Sequence, residues 1–111
     1  MIERIEQLEE GCPEPPAPER TRRPALLAGL LARTRSHERA IAPHLALARR
    51  DPLEALDVAR LQQVTRLLRA AAATERQVAR AVAAGYIGSQ AGEDLAQRAA
   101  HATARCREFM D

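Results

Sequence analysis

The chain has no lysine, no tryptophan, one tyrosine and one phenylalanine among its 111 residues. With only two aromatic side chains there is little platform on which single-stranded bases could stack. The core must be built from Leu, Ile, Val and Ala. Such side chains each bury little area, so helix contacts have to be long. Two cysteines, Cys12 and Cys106, are too few for a disulfide framework. No apolar run approaches the ~18–20 residues of a membrane-spanning helix. The first ten residues lack the basic and apolar regions of a secretory leader, so a reducing cytoplasm is the expected location. No segment alternates polar and apolar residues as a half-buried strand does, which leaves an all-α chain.

Every one of the 17 basic residues is Arg, and the net charge of +2 conceals an asymmetry. Residues 1–19 carry −5, residues 20–50 carry +7, and residues 51–111 balance to zero. The chain therefore has an acidic head and a basic second segment.

The stretch Asp51–Gly85 organises the rest. Asp51 suits an N-cap, Pro52 the first helical position, and Glu54 a capping-box reach-back. Gly85 suits the left-handed residue that ends a helix. With no Pro or Gly from Leu53 to Ala84, the sequence predicts one helix of about 50 Å, at 1.5 Å per residue. Its seam runs Leu61, Val64, Leu68, Ala71, Glu75, Val78 and Val82. Before it, Pro24–Arg50 spaces Leu27, Leu31, Thr34, Glu38, Ile41, Leu45 and Ala48 by fours and threes. Pro43 inside this segment predicts a kink or break near Ala40–Pro43. After Gly85, Ile87 is expected to pack on the helix end and Ser89 to cap a last helix. That helix carries Leu95, Ala99, Ala102, Cys106 and Phe109 on its inner face. At the N-terminus, Ile2, Ile5 and Leu8 form a narrow stripe on a short helix ending at Gly11. Pro13, Pro15, Pro16 and Pro18 make the intervening residues an extended linker.

The expected fold is thus all-α: an antiparallel helical hairpin or three-helix bundle with coiled-coil-like seams, plus a short N-terminal helix on a Pro-rich linker. The expected units are residues 1–11 (amphipathic helix), 12–23 (linker) and 24–111 (bundle).

No motif carries chemistry. His37 and His44 are seven apart, but Pro43 disturbs the helix between them. His101 and Cys106 lie on different faces, and there is no Cys-x-x-Cys or His-Glu-x-x-His. Cys106 falls on an Ala-rich seam and reads as a small core residue. Glu38 and Glu75 interrupt the two seams, and Glu38 has Arg35 within one turn. The sequence predicts a non-enzymatic protein with no cofactor or metal.

A resemblance accompanies these readings. Met1-Ile2-Glu3-Arg4-Ile5-Glu6-Gln7-Leu8 is similar to the start of small α-helical chaperones and co-chaperones of bacterial type III secretion. Leu30–Glu38 to Leu47–Arg50 resembles their first helical arm, and Leu61-Gln62-Gln63 to Ala70 and Glu75 the second. Flagellar export chaperones share this look. The resemblance spans residues 1–84; the Pro-rich linker and the helix after Gly88 depart from it. It implies a protein that holds a helical subunit before export.

The expected function is a helical adaptor or chaperone binding a partner protein's helix, or a homo-oligomer. Its expected contacts are Ile2, Ile5, Leu8, Leu27, Leu31 and Ile41, flanked by Arg33, Arg35 and Arg39. Two alternatives are an accessory nucleic-acid binder using Arg-rich residues 20–50 and a structural coiled-coil subunit of a larger assembly.

Overall fold

The computed structural model describes residues 17–111, with side chains from Pro24 onward. Three helices pack together: α1 (Ala17–Arg50), α2 (Val58–Ala83) and α3 (Ser89–Met110). A short 3-10 turn, Glu54–Leu56, lies between α1 and α2. There are no strands among the described residues. The arrangement is up-down-up and elongated, with the most extensive interface between α2 and α3. The N-terminal amphipathic stretch and residues 12–16 of the linker lie outside the described residues.

α1 starts earlier than expected. The linker was expected to stay extended through Arg23, yet the chain is helical from Ala17. Pro18 falls in the first turn, where no amide proton is needed. Pro24 leaves the Arg20 carbonyl without its amide partner, but its fixed φ is already helical. Pro43 does not divide α1 either, since the helix continues unbroken to Arg50. Both Pro43 and Arg39, whose carbonyl loses its amide, are exposed, so water can satisfy that carbonyl.

The single long helix predicted from Leu53 is also corrected. Asp51 caps as expected, accepting the Glu54 amide at 3.2 Å, but the turn it starts is only one 3-10 turn long. At Asp57 the backbone is extended (φ −54°, ψ 131°), and its carboxylate accepts the Arg60 amide at 3.2 Å. A second N-cap six residues after the first thus restarts the helix at Val58. The remaining α2 is about 39 Å long, at 1.5 Å per residue.

The end of α2 matches the reading of Gly85, whose φ is +78°. The Tyr86 amide reaches the Ala81 carbonyl at 2.9 Å and the Gly85 amide reaches Val82 at 3.0 Å, the paired bonds of a Schellman motif. Ile87 turns inward and is buried beside Ala81. Ser89, expected as the cap of α3, is instead its first helical residue. Gly88 holds the cap position, with no side-chain bond.

Two apolar clusters form the core. Leu30, Val78, Ala81, Ile87, Leu95 and Ala99 pack at one end. Ile41, Leu45, Val64, Ala71 and Cys106 pack toward the other. The waist between them is polar. Thr34, Thr74 and Thr103 are buried, and each donates its hydroxyl to the carbonyl four residues earlier, at 2.9–3.1 Å. Self-satisfied threonines let the three helices approach closely without an unpaired polar atom.

A candidate protein-docking surface

The side chains of the waist are accounted for by one another. The Thr74 hydroxyl hydrogen goes to the Ala70 carbonyl, so His37 Nε2, 3.0 Å away, donates to Thr74 Oγ1. Burial first, and the Arg33 charge second, hold the His37 pKa below the usual imidazole range. Glu38 pairs with Arg98 of α3 through two parallel bonds of 2.8 and 2.9 Å. Its partner is therefore a residue 60 positions away; Arg35, the sequence neighbour, contributes only a weaker field. The Arg98 hydrogen bond is the main reason the Glu38 carboxyl sits below its ordinary range. Cys106 is fully buried, and burial pushes its thiol up. Among the described residues no three His, Cys, Asp or Glu side chains gather as a metal site would require.

The opposite situation holds at the elbow, Asp51–Asp57. Its backbone satisfies itself: Asp51 N to Leu47 O (2.7 Å), Ala55 N to Asp51 O (3.1 Å), Leu56 N to Leu53 O (3.1 Å) and Leu61 N to Asp57 O (2.9 Å). Two Asp caps and these bonds hold the turn in place with only Ala55 buried. Its larger apolar side chains are free to face water. Leu53 is 82% exposed, Leu56 63% and Val58 67%. Beside them opens a cavity of about 400 Å³ lined by Leu45, Leu56, Leu61, Phe109 and Met110, with Arg49 and Glu108 at its polar edge. The ends of α1 and α3 and the start of α2 meet here.

The floor of this pole is braced. Arg60 donates from its guanidinium to His44 Nδ1 at 2.9 Å, which places the imidazole proton on Nε2. The His44 ring meets Phe109 edge to face, centroids 5.9 Å apart. Burial, then the Arg60 charge, lowers the His44 pKa. Among the described residues Arg60 Nε is buried with no hydrogen-bond partner, while the same guanidinium holds its bond to the imidazole.

The residues expected to contact a partner are dispersed. Ile2, Ile5 and Leu8 lie outside the described residues. Ile41 is at the centre of the lower core with 0% exposure, so it holds the bundle together and presents nothing to a partner. Leu27 and Leu31 are half-buried against the upper core and line a smaller groove between α1 and α3, about 240 Å³ in volume. Arg33 bonds the Gln77 side chain of α2. Arg35 and Arg39 are exposed on α1.

The elbow residues were missed because Leu53 and Leu56 read as an extension of the α2 face. A frame shift was legible: continuing the seam back from Leu61 by four and three lands on Asp57 and Glu54. The two leucines sit one position off that seam, as they must if the helix restarts.

The chain matches no protein-family model, no curated protein and no solved structure. Among the described residues no helix is long and apolar enough to cross a membrane.

Proposed function

We propose that the protein is a non-enzymatic helical adaptor that docks an amphipathic helix of a partner protein at the elbow pole. The observation that carries this reading is an apolar-lined cavity with the largely exposed Leu56 in its wall, and Leu53 and Val58, also largely exposed, close to Leu56 in the chain. Isolated surface leucines are ordinary, but large exposed apolar residues gathered at one turn with a pocket in its wall mark interaction sites. Three side chains of this size present ~400 Å² at most. A stable dimer needs about 800 Å² from each partner. The patch therefore fits a short inserted helix better than a second copy of the bundle. A partner helix would place one or two large apolar residues over Phe109 and Leu61, as helix-in-groove recognition requires. The resemblance to secretion chaperones supplies a kind of partner, a helical subunit held before export.

The test is co-purification from the native host with the wild-type chain and with a Leu53→Asp, Leu56→Asp variant. Both positions are exposed, so the variant keeps its helicity and unfolding midpoint. A partner retained by the wild type and lost by the variant supports the reading. Equal retention by both refutes it.

A second reading draws on a separate observation. Arg66, Arg69, Arg76 and Arg80 are exposed at spacings of three, seven and four along α2, an array of about 21 Å on one helix face. In the nucleic-acid reading this outer face joins residues 20–50 as the basic surface. Replacing these four by Gln should then reduce the salt slope of duplex binding by roughly four. No binding at low salt removes it.

A further inference from the structure

The elbow cavity shares a wall with a second concavity. Leu61 lines both, and from it a shallow groove of about 550 Å³ runs along α2 between Val58, Gln62, Thr65, Arg66 and Arg69. Positions 58, 61, 62, 65, 66 and 69 fall on one face of a helix, and Val58 to Arg69 covers about 17 Å. We propose that the partner helix docked at the elbow continues over this groove and is acidic there. It carries two carboxylates three or four residues apart, centred about seven residues from its apolar anchors. The inference rests on the elbow reading and names the chemistry of its partner.

Charge complementarity carries it. From Val58 to Thr74, α2 has three arginines and no acidic residue. Arg60 is held by His44. Arg66 and Arg69 are exposed, and the ion pair among the described residues lies elsewhere, between Glu38 and Arg98. Arg66 and Arg69 stand one turn apart, and like charges at that spacing repel each other. A carboxylate laid over each relieves that repulsion.

The elbow end has no such surplus, because Arg49 shares the cavity wall with Glu108 and Asp111. The positive field therefore grows from the elbow toward Arg69. It sets the partner's acidic turn over α2 and its uncharged anchors over Leu56 and Phe109. From Leu61 to the midpoint of Arg66 and Arg69 is about 10 Å, or two helical turns, and a second helix returns to the same face after about seven residues.

A nucleic-acid duplex suits the groove less. Val58 and Leu61 fill its near half, and phosphates gain nothing by covering apolar side chains. Arg76 and Arg80, which a duplex would also use, lie outside the groove.

The probes are two Ala-rich helical peptides of about 20 residues. Both carry the same two leucines one turn apart. One has a pair of Glu centred two turns beyond them on the same face, and the other has Gln there. Fluorescence anisotropy with the full chain at ~50 mM salt should give the Glu peptide a Kd about ten-fold lower, as two exposed ion pairs can supply. The difference should vanish near ~1 M salt. Arg66→Gln with Arg69→Gln should abolish it, and Arg76→Gln with Arg80→Gln should not. All four positions are exposed, so both variants keep the wild-type unfolding midpoint.

Equal affinity for the two peptides, lost for both in Leu56→Asp, overturns this inference and leaves the elbow reading standing. If neither peptide binds, the elbow reading falls and this inference falls with it. An equal loss in the Arg76 and Arg80 variant overturns the inference by showing a diffuse field. So does a short DNA duplex that outcompetes the Glu peptide and depends on Arg66 and Arg69, or a dimer of the free chain that the Glu peptide dissociates.

Discussion

Alanine at two helical glycines should change stability in opposite directions. Gly29 lies in the middle of α1, and a Cβ added there meets nothing within 4 Å among the described residues. Only the backbone effect then operates. Removing glycine from a helix interior stabilises by roughly 0.5–1 kcal/mol, largely by narrowing the unfolded ensemble. Gly92 is different. It is buried in the first turns of α3, where that helix crosses the end of α2, and a Cβ there falls 2.8 Å from Val82 Cγ2. Val82 Cγ1 at 3.5 Å and Ile87 Cγ2 at 3.6 Å close the other sides. A valine methyl cannot swing away cheaply, because its β-branched side chain has one favoured rotamer in a helix. The helices must separate or the valine must leave its rotamer, and overpacking of this kind costs about 1–3 kcal/mol. The propensity gain at Gly92 is at most ~1 kcal/mol. Gly92→Ala should therefore be net destabilising, by ~1 kcal/mol at the centre of the range.

Urea unfolding followed by far-UV circular dichroism gives both values. At this size 1 kcal/mol corresponds to ~4–8 °C in the thermal midpoint. Adding Val82→Ala tests the mechanism. With the methyls gone, alanine at 92 should become neutral or stabilising relative to Val82→Ala alone, a positive coupling between the two sites. If Gly92→Ala stabilises the wild-type chain as much as Gly29→Ala does, the close approach of α3 to α2 is wrong.

Three further outcomes are expected. Asp57→Ala should cost about 1 kcal/mol by removing the cap on the Arg60 amide, measurable as a lower urea midpoint at unchanged slope. Stability should fall as pH drops below the ordinary histidine value of ~6.5. His37 and His44 both titrate lower in the folded chain than in the unfolded one, mainly through burial. Their contribution is present in full above the unfolded pKa and is lost as pH falls through the folded values. Urea midpoints at about pH 7.5 and pH 5.5 should show this, and His37→Gln with His44→Gln should flatten that part of the profile. Cys106, fully buried with its thiol pushed up, should react with a thiol reagent only at the rate of unfolding. Rapid labelling of native Cys12→Ser protein would contradict its burial.

Some of this was legible in the sequence for local reasons. The Gly85 turn, Asp51 as a cap, and the inner face of Leu95, Ala99, Ala102 and Cys106 follow from backbone sterics and a repeating apolar position. Those act within a few residues of chain. The break at Asp57 was also local, but it competed with an uninterrupted run of helix formers, and a cap outweighed propensity. Ile41 was read as a contact position because a seam residue looks the same whether it faces the chain's own helices or another protein's.

What the sequence determined by itself is the composition of the bundle. Arg-rich, Ala-rich helices with almost no aromatic residues and a left-handed glycine between two of them can form only thin, long-contact helical packing. The tertiary structure decided which faces that packing consumes. It drew Glu38 to Arg98 across 60 residues, set His37 on Thr74 and His44 between Arg60 and Phe109, and left Leu53, Leu56 and Val58 outside. The physical reason is that an apolar side chain gains by leaving water against any complementary surface. Which surface it meets depends on the relative placement of three helices, and that is a property of the whole chain.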